Sequence, residues 1–381
     1  MKRVGMTVVL CLLLTLLPVP AKGAQLEVPG KSALLMDMAT GTVLYENNAH
    51  EALPPASVTK VMTMLLIMEA IDSGNVRWDD VVTTSEAAAA KGGSQIYLKA
   101  GETMTVSDMV KSIAVSSAND CACAMAEHIA GSEAAFVEKM NEKAKALGMN
   151  DTHFVNCTGL DDDETAKEHL TSAYDIALMS RELMCNHPDI QKFTTIWMDT
   201  VRGGAFGLAN TNKLVRFYPG ATGLKTGFTS GAGYCLSATA QRDGLGLIAV
   251  VMGAKTSQER FGACKSMLDY GFANYALVSP EVTEGEVPVR LGATDSVKAI
   301  PAQSVQLLID KAQSNQVQVQ TALEEAVTAP VSKGQRLGTL TVKVGEQVLQ
   351  QIPMVAQTGV ERLTWWALFI KTLRQLAMAK G

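Results

Sequence analysis

The sequence predicts a domain that mixes helices and β-strands, followed by a smaller β-rich domain and a terminal amphipathic helix. Residues 32–46, SALLMDMATGTVLYE, place two apolar runs around a turn, as in a β-hairpin. Several long apolar segments with helical spacing come next. After about Leu277 the composition shifts to Val, Thr, Gly and Gln in short strand-like runs.

Length and composition limit the class of protein. The chain has 381 residues, 47% hydrophobic and 19% charged, which is enough for one large domain or two smaller ones. A formal net charge of −5 gives no basic footprint for nucleic acid. The five histidines are scattered, without metal-ligand spacing. We therefore expect neither a nucleic-acid partner nor a metal site.

Residues 1–24 are typical of a secretory signal peptide. Lys2 and Arg3 precede a short apolar run at 8–17, and small residues near Ala24 offer a cleavage site. The alternative is a transmembrane anchor, but the run is short for a span of about 20 residues. We expect an exported protein.

Export permits disulfides, although a domain of this size does not need them. The cysteines that follow the signal peptide lie mostly in apolar surroundings, which predicts buried thiols. They are Cys121, Cys123, Cys157, Cys185, Cys235 and Cys264.

Helices and strands share the region 25–277, which we assign to one domain. An apolar helix is predicted from Ser57 to about Asp72, before Ser73-Gly74-Asn75. Two helices over 106–130 are interrupted at 116–119. Further helices are predicted at 134–147, 170–184 and 257–275, and paired strands at 223–240 and 244–253.

Residues 278–358 are predicted to form the β-rich domain, from runs such as LGTLTVKV and QVLQQIPMVA. Residues 359–381 are predicted to form an amphipathic helix. One face carries Trp365, Trp366, Phe369, Ile370, Leu373 and Leu376. Paired Trp opposite basic residues is typical of a helix that lies in the membrane interface. The alternative is a helix packed on the protein itself.

The stretch ASVTK places a hydroxyl and an amine at the head of an apolar helix. Ser57 and Lys60 are three positions apart and share a face. A serine hydroxyl needs a nearby base to become a nucleophile, and burial lowers the pKa of a lysine toward that role. On this motif alone, a capping serine followed by a lysine that extends to solvent is the better explanation.

Two further stretches carry polar side chains at structural breaks. SSAND, at 116–120, offers the Ser117 hydroxyl for proton transfer and the Asn119 amide for a substrate carbonyl. Helix capping is the structural alternative. GLKTGFTSGAGY, at 223–234, offers Lys225 and Thr226 for a carboxylate, and Gly227 for close backbone approach. An edge strand followed by a loop is the alternative there.

The three stretches occur in the order S-x-x-K, S-x-N and K-T-G, the signature of class A β-lactamases and penicillin-binding proteins, with S-A-N in place of S-D-N. Over nearly its whole length the chain resembles the low-molecular-mass penicillin-binding proteins, the serine-type D-alanyl-D-alanine carboxypeptidases. The resemblance includes SALLMDMATGTVLYENNAHEALPPASVTKVMT, GSQIYLKAGETMTVSDMVKSIAVSSANDCACAMAEHIAGS, GMNDTHFVNCTGLDD, TGLKTGFTSGAGYCLSATA and APVSKGQRLGTL.

This resemblance implies a β-lactamase/transpeptidase-like α/β domain, an antiparallel sheet flanked by helices, with a small all-β C-terminal domain and an amphipathic membrane anchor. It implies that the terminal D-Ala of peptidoglycan stem pentapeptides is removed through a Ser57 acyl-enzyme. No metal or organic cofactor is implied, and β-lactam antibiotics would acylate the same serine.

The resemblance also implies a role for each motif residue. The catalytic residues would be the nucleophile Ser57, its base Lys60, and Ser117, which passes a proton to the leaving D-Ala. The substrate-binding residues would be Asn119, Lys225, Thr226, Gly227 and Phe228. Backbone N–H groups of Ser57 and Phe228 would form the oxyanion hole. Phe228 stands where relatives often have His, a change that a backbone donor tolerates.

Rival functions differ in the fate of the acyl-enzyme. A class A β-lactamase uses a Glu to activate the deacylating water; the acidic stretch 161–164 and Glu168 are candidates, although a solvated loop explains them better. A D,D-endopeptidase has similar chemistry, and the sequence distinguishes it poorly from a carboxypeptidase. A penicillin sensor or a silent wall-binding protein belongs to another class, and hydrolysis of a D-Ala-D-Ala peptide would exclude both.

Overall fold

The structure is a computed structural model and describes residues 26–162 and 164–370. Its strands are β1 (Ser32–Asp37), β2 (Val43–Asn47), β3 (Val81–Thr83), β4 (Thr103–Thr105), β5 (Met198–Val201), β6 (Phe206–Ala209), β7 (Ala221–Thr229), β8 (Gly233–Arg242), β9 (Leu245–Ala254), β10 (Tyr275–Val278), β11 (Gly285–Arg290), β12 (Ser296–Pro301), β13 (Leu307–Asp310), β14 (Val317–Leu323), β15 (Val327–Thr328), β16 (Arg336–Val344) and β17 (Gln347–Ala356). Its α-helices are α1 (Lys60–Asp72), α2 (Glu86–Ala89), α3 (Val106–Ser116), α4 (Asn119–Ala130), α5 (Glu133–Ala146), α6 (Ala173–Asn186), α7 (Gln191–Thr194), α8 (Leu214–Phe217) and α9 (Ser257–Asn274). The predicted signal peptide lies outside the described residues.

A five-stranded antiparallel sheet, in the order β2-β1-β9-β8-β7, organises the first part of the chain. Strand β1 is buried along its whole length. Leu34 and Met36 contact one apolar cluster, and Ala33 and Leu35 contact another, because successive side chains of a strand point to opposite faces. The sheet is therefore covered on both faces, as the predicted fold class requires.

Helices cover the two faces unequally. The cluster on one face includes residues of α1, α3, α4, α5 and α6, whereas α9 supplies the cluster on the other. Helix α1 is apolar on nearly all sides and buried from Lys60 to Met68, as expected of a central core helix. The 3₁₀ helix Ala56–Thr59 precedes it, so Ser57 lies in a tight turn and not within the predicted α-helix.

The other predicted elements are found with small changes of boundary. The hairpin at 32–46 corresponds to β1 and β2, and the break at 116–119 separates α3 from α4. The paired strands predicted over 223–253 are three strands in the structure. A turn with Gly233 at φ +68° divides the first segment into β7 and β8, because glycine adopts this conformation without a steric penalty.

The C-terminal region forms a separate β structure with its own apolar cluster. Its six strands have the order β14-β16-β17-β12-β11-β15, and the β11–β15 pair is parallel while the other pairs are antiparallel. The runs LGTLTVKV and QVLQQIPMVA lie within β16 and β17, so this prediction is confirmed. Strand β10 pairs with β13 and connects α9 to this region.

The cysteines follow the prediction with one exception. All six that the structure describes are free; five are buried and Cys185 is exposed. Within 26–162 and 164–370, no helix has the length and apolar character needed to cross a membrane. A helix begins at 365 and is described to 370; residues 371–381 of the predicted terminal helix lie outside the described part.

The packing of α9 on the sheet can be tested with two glycines of that helix. A Cβ at Gly271 would lie 2.5 Å from Leu247 Cδ1, so Gly271→Ala is expected to lower the free energy of unfolding by about 1–3 kcal/mol through overpacking. A Cβ at Gly262 would have no neighbour within 4 Å. Gly262→Ala is therefore expected to raise the free energy of unfolding by up to about 1 kcal/mol, because alanine favours a helix more than glycine does. Urea denaturation of both variants would contradict this packing if their midpoints moved equally.

Candidate active site

The site begins in the turn that precedes α1. Lys60 Nζ donates hydrogen bonds to Ser57 Oγ at 2.9 Å and to the backbone carbonyl of Thr158 at 2.8 Å. The Lys60 side chain is fully buried. Burial lowers the pKa of Lys60 to about 7, although the Cys157 thiol and the Asp120 carboxylate act in the opposite direction. A hydroxyl and an amine that can be neutral at physiological pH are therefore in direct contact.

The S-A-N segment forms the junction between α3 and α4. Ser117 is buried and takes the left-handed conformation at φ +63°, which ends α3. Its Oγ has no hydrogen-bond partner within the described ranges. Asn119 donates from Nδ2 to the carbonyl of Gly92 at 2.8 Å, and its buried Oδ1 is likewise unpartnered among these residues. Because buried polar groups are normally hydrogen-bonded, these two atoms are candidates to contact a ligand.

The K-T-G segment lies on β7 and packs directly on the turn that carries Ser57. A Cβ at Gly227 would lie 2.7 Å from the Pro55 carbonyl oxygen and 3.1 Å from the Ser57 nitrogen. No side chain fits there, so glycine is required for β7 to approach Ser57. Phe228, the next residue, is 53% exposed and packs on Tyr234 with ring centroids 4.3 Å apart.

One residue outside the motifs joins the second and third stretches. Thr211 donates its backbone N–H to the carbonyl of Val115, near the end of α3, at 3.1 Å. Its hydroxyl accepts a hydrogen bond from Thr226 Oγ1 at 2.7 Å. Together with the contact between Gly227 and Ser57, this places all three sequence motifs in one site.

Three basic side chains lie close together around β7, those of Lys60, Lys225 and Arg260. Lys225 is buried, and its pKa is well below the usual value because of burial and the nearby charges of Lys60 and Arg260. Arg260 donates to the carbonyl of Gly227 at 2.8 Å and lies over the ring of Tyr234. All three basic groups donate to backbone oxygens. A bound carboxylate would favour the charged forms of these groups, so the site suits an anionic ligand.

The loop that follows residue 155 completes the site. Asn156 Oδ1 accepts from the backbone N–H groups of Thr158 and Gly159, which orients the Thr158 carbonyl toward Lys60. Beyond it, Asp161, Asp162 and Glu164 are exposed and line a cavity of about 470 Å³. Glu168 is exposed as well, so these acids form a solvated rim, as the loop interpretation predicts.

Several residues of the site were not identified from the sequence. Thr158 acts through a backbone carbonyl, which no side-chain pattern reveals. His169, Thr211 and Arg260 are single residues outside the motifs. The stretch NCTGLDD does carry part of the resemblance, and its asparagine and glycine are typical of a tight loop, but it does not indicate what that loop contacts.

The comparisons with known proteins agree with this geometry. Residues 20–256 match the D-alanyl-D-alanine carboxypeptidase family, peptidase S11, and residues 272–362 match the penicillin-binding protein 5 C-terminal domain. D-alanyl-D-alanine carboxypeptidase DacF of Bacillus subtilis (strain 168) is 44% identical over 346 residues, covering 89% of this chain and 88% of the relative.

Solved structures show the same fold. Penicillin binding protein 5 from Haemophilus influenzae aligns with a TM-score of 0.76 at 29% identity, over 88% of this chain and 98% of that one. Penicillin-Binding Protein D2 from Listeria monocytogenes, in its ampicillin-bound form, aligns with a TM-score of 0.59 at 34% identity, over 65% and 99%. The chain therefore belongs to the D-alanyl-D-alanine carboxypeptidase family, peptidase S11.

Proposed function

We propose that this chain is a serine carboxypeptidase that removes the terminal D-Ala from peptidoglycan stem pentapeptides. The observation that carries the proposal is the 2.9 Å hydrogen bond between Lys60 and Ser57, with the lysine pKa lowered to about 7. An amine with this pKa is a general base suited to neutral pH. Relatives named D-alanyl-D-alanine carboxypeptidases support the same activity.

Acylation follows from the contacts of the turn. The neutral amine of Lys60 accepts the proton of Ser57 Oγ as this oxygen attacks the carbonyl between the two D-Ala residues. The tetrahedral oxyanion is stabilised by the backbone N–H groups of Ser57 and Phe228. Collapse breaks the C–N bond, and Ser117 passes a proton from Lys60 to the departing D-Ala nitrogen. The product is an ester on Ser57.

Deacylation uses the same groups in reverse. A water molecule gives its proton to Lys60 and attacks the ester, and Ser57 regains a proton as the shortened peptide leaves. A β-lactam would acylate Ser57 in the same way, because its strained amide imitates the peptide end. The ampicillin-bound form of the Listeria relative supports this proposal.

Substrate recognition depends on the terminal carboxylate. We assign its binding to Lys225 and Thr226, and we assign Asn119 to the peptide backbone. The buried basic side chains of Lys225 and Arg260 favour this assignment. A bound carboxylate would supply the counter-charge that their hydrogen bonds lack and would favour the charged form of Lys225.

We also propose that 25–277 form the catalytic domain and 278–358 a separate β-rich domain, after export directed by residues 1–24. The separate apolar clusters support this division. Strand β10 crosses the proposed boundary. The terminal helix is proposed to hold the enzyme on the outer face of the cytoplasmic membrane. Trp365 is 70% and Trp366 66% exposed, which favours a membrane contact over packing on the protein.

The first test replaces the nucleophile. The parent protein is expected to release D-Ala from a peptide ending in Lys-D-Ala-D-Ala, and Ser57→Ala to lose release and labelling by a fluorescent penicillin, because no oxygen remains to be acylated. Ser304→Ala, at an exposed serine, serves as the control. Stable labelling of Ser57 without any D-Ala release by the parent would favour a sensor or an endopeptidase and contradict the proposal.

The second test is the pH dependence of acylation. Only the neutral form of Lys60 accepts a proton, so kcat/KM is expected to rise with pH through about 7 and to level off above it. Lys60→Arg should lose activity at every pH, because guanidinium stays charged. Lys255→Arg, at an exposed lysine, should keep the parental profile. A flat parental profile between about pH 5.5 and 8 would exclude Lys60 as the base.

The third test concerns the membrane. Full-length mature protein is expected to co-sediment with phosphatidylglycerol vesicles, and replacing both Trp365 and Trp366 with Ala should weaken partitioning by about tenfold or more. A double Ala replacement of Val348 and Leu349, which are also exposed, is the matched control. D-Ala release from a soluble peptide should be unchanged in both. Equal loss of binding in the two variants would argue against a specific anchor.

A further inference from the structure

We infer that His169 is a positioning residue for the oxyanion hole, and that it acts through Thr59 on the peptide bond between Ala56 and Ser57. The inference rests on the proposed function, because it takes the Ser57 N–H as an oxyanion donor. His169 lies outside the three sequence motifs. The residue is buried, with only 3% of its surface exposed.

Both ring nitrogens of His169 are engaged, and their partners define the tautomer. The backbone N–H of Val155 can only donate, so Nδ1, at 3.1 Å, is the acceptor. The proton therefore lies on Nε2, which is 2.8 Å from Thr59 Oγ1. A neutral imidazole thus connects the loop that begins at Val155 with the first turn before α1.

The Thr59 hydroxyl continues the chain of hydrogen bonds. It accepts from His169 and donates to the carbonyl oxygen of Ala56 at 2.8 Å. That oxygen belongs to the same planar peptide group as the Ser57 N–H, so the position of one fixes the direction of the other. Successive hydrogen bonds also polarise one another, which strengthens the N–H as a donor.

The peptide group is held closely on both sides. A Cβ at Gly159 would lie 1.9 Å from the Ala56 oxygen, and one at Gly227 would lie 3.1 Å from the Ser57 nitrogen. Ala56 itself has φ +48°, a left-handed conformation that is costly for a residue with a Cβ. Such a conformation persists only where its surroundings fix it, and the Thr59–Ala56 hydrogen bond is one of the contacts that do so.

The environment keeps His169 in the required form. Burial lowers its pKa to about 4, and the charges of His153 and Lys60 act in the same direction. At neutral pH Nδ1 therefore remains an acceptor for Val155, and the Nε2 proton remains directed at Thr59. Since Thr158 of the same loop orients Lys60, one imidazole links the segment that holds the base to the segment that carries the oxyanion donor.

The first test separates the effect of the Thr59 hydroxyl from the effect of the size and shape of the side chain. Thr59→Val removes the hydroxyl and Thr59→Ser keeps it. For Thr59→Val we expect kcat to fall about 10- to 100-fold with little change in KM. Affinity for a peptide boronic acid, whose tetrahedral adduct places an oxygen in the oxyanion hole, should fall in parallel. Thr59→Ser should recover most of both.

A control one turn along α1 reports on a purely structural loss. The hydroxyl of Thr63 donates to the carbonyl of Cys157 at 2.6 Å and is also buried. Thr63→Val is expected to lower the melting temperature about as much as Thr59→Val does, without the parallel loss of boronic acid affinity. Equal catalytic losses in the two variants would overturn the inference.

Two replacements of His169 test its contact with Thr59 separately from its contact with Val155. Gln places an N–H donor near the Nε2 position, and Asn places an acceptor near the Nδ1 position. We expect His169→Gln to retain more kcat and more boronic acid affinity than His169→Asn. The reverse order would show that the contact with Val155 matters and would overturn the inference. If Thr59→Val does not fold, the two His169 variants still test the role of His169.

The proposed function is tested separately from this inference. If the parent protein releases D-Ala and Ser57→Ala does not, the carboxypeptidase assignment stands whatever the Thr59 and His169 variants do. Parental kcat in folded Thr59→Val would then overturn the role of His169 alone.

Discussion

The burial of the Lys60 amine is the constraint on which the rest of the structure depends. An amine in an apolar core loses its charge unless a counter-charge accompanies it. Here its hydrogen bonds go to a serine hydroxyl and a backbone carbonyl. This burial depends on α1, which is apolar on nearly all sides. It also depends on the loop at 156–159, which presents the carbonyl of Thr158 to the amine. The lowered pKa follows from this packing.

Close backbone approach is the second requirement of the site. The turn that carries Ser57 lies between Gly159 on the loop and Gly227 on β7, and a Cβ at either position would collide with the backbone atoms of this turn. These contacts bring a loop, a turn and a strand together around the peptide bond between Ala56 and Ser57. The side chains of Thr59 and Arg260 hold backbone carbonyls of this assembly, and the hydroxyl of Thr211 accepts from that of Thr226.

The C-terminal region follows different rules. Its strands alternate buried and exposed side chains around a cluster of their own. The aromatic side chains that follow it, at 365–370, are left exposed. The five-stranded sheet of residues 32–254 differs, because both of its faces are covered.

The sequence by itself determined the elements and the chemistry. Apolar periodicity located the hairpin at 32–46, the helix pair around 116–119 and the β-rich region, since these depend on local patterns. The order of the three motifs predicted Ser57 and Lys60 as catalytic residues, and the resemblance over nearly the whole chain indicated the family, which the comparisons confirm. The prediction missed a boundary where a turn inside an apolar run decided it, as between β7 and β8.

Only the tertiary structure decided how the site is held. Thr158 acts through a carbonyl, and Gly159 through the absence of a side chain. His169 is 110 positions from Thr59, with which it shares a hydrogen bond. None of these contacts has a periodic signal, because each joins single residues brought together by the fold. The pKa of Lys60 belongs to the same class, since burial is a property of the packed core and not of the motif.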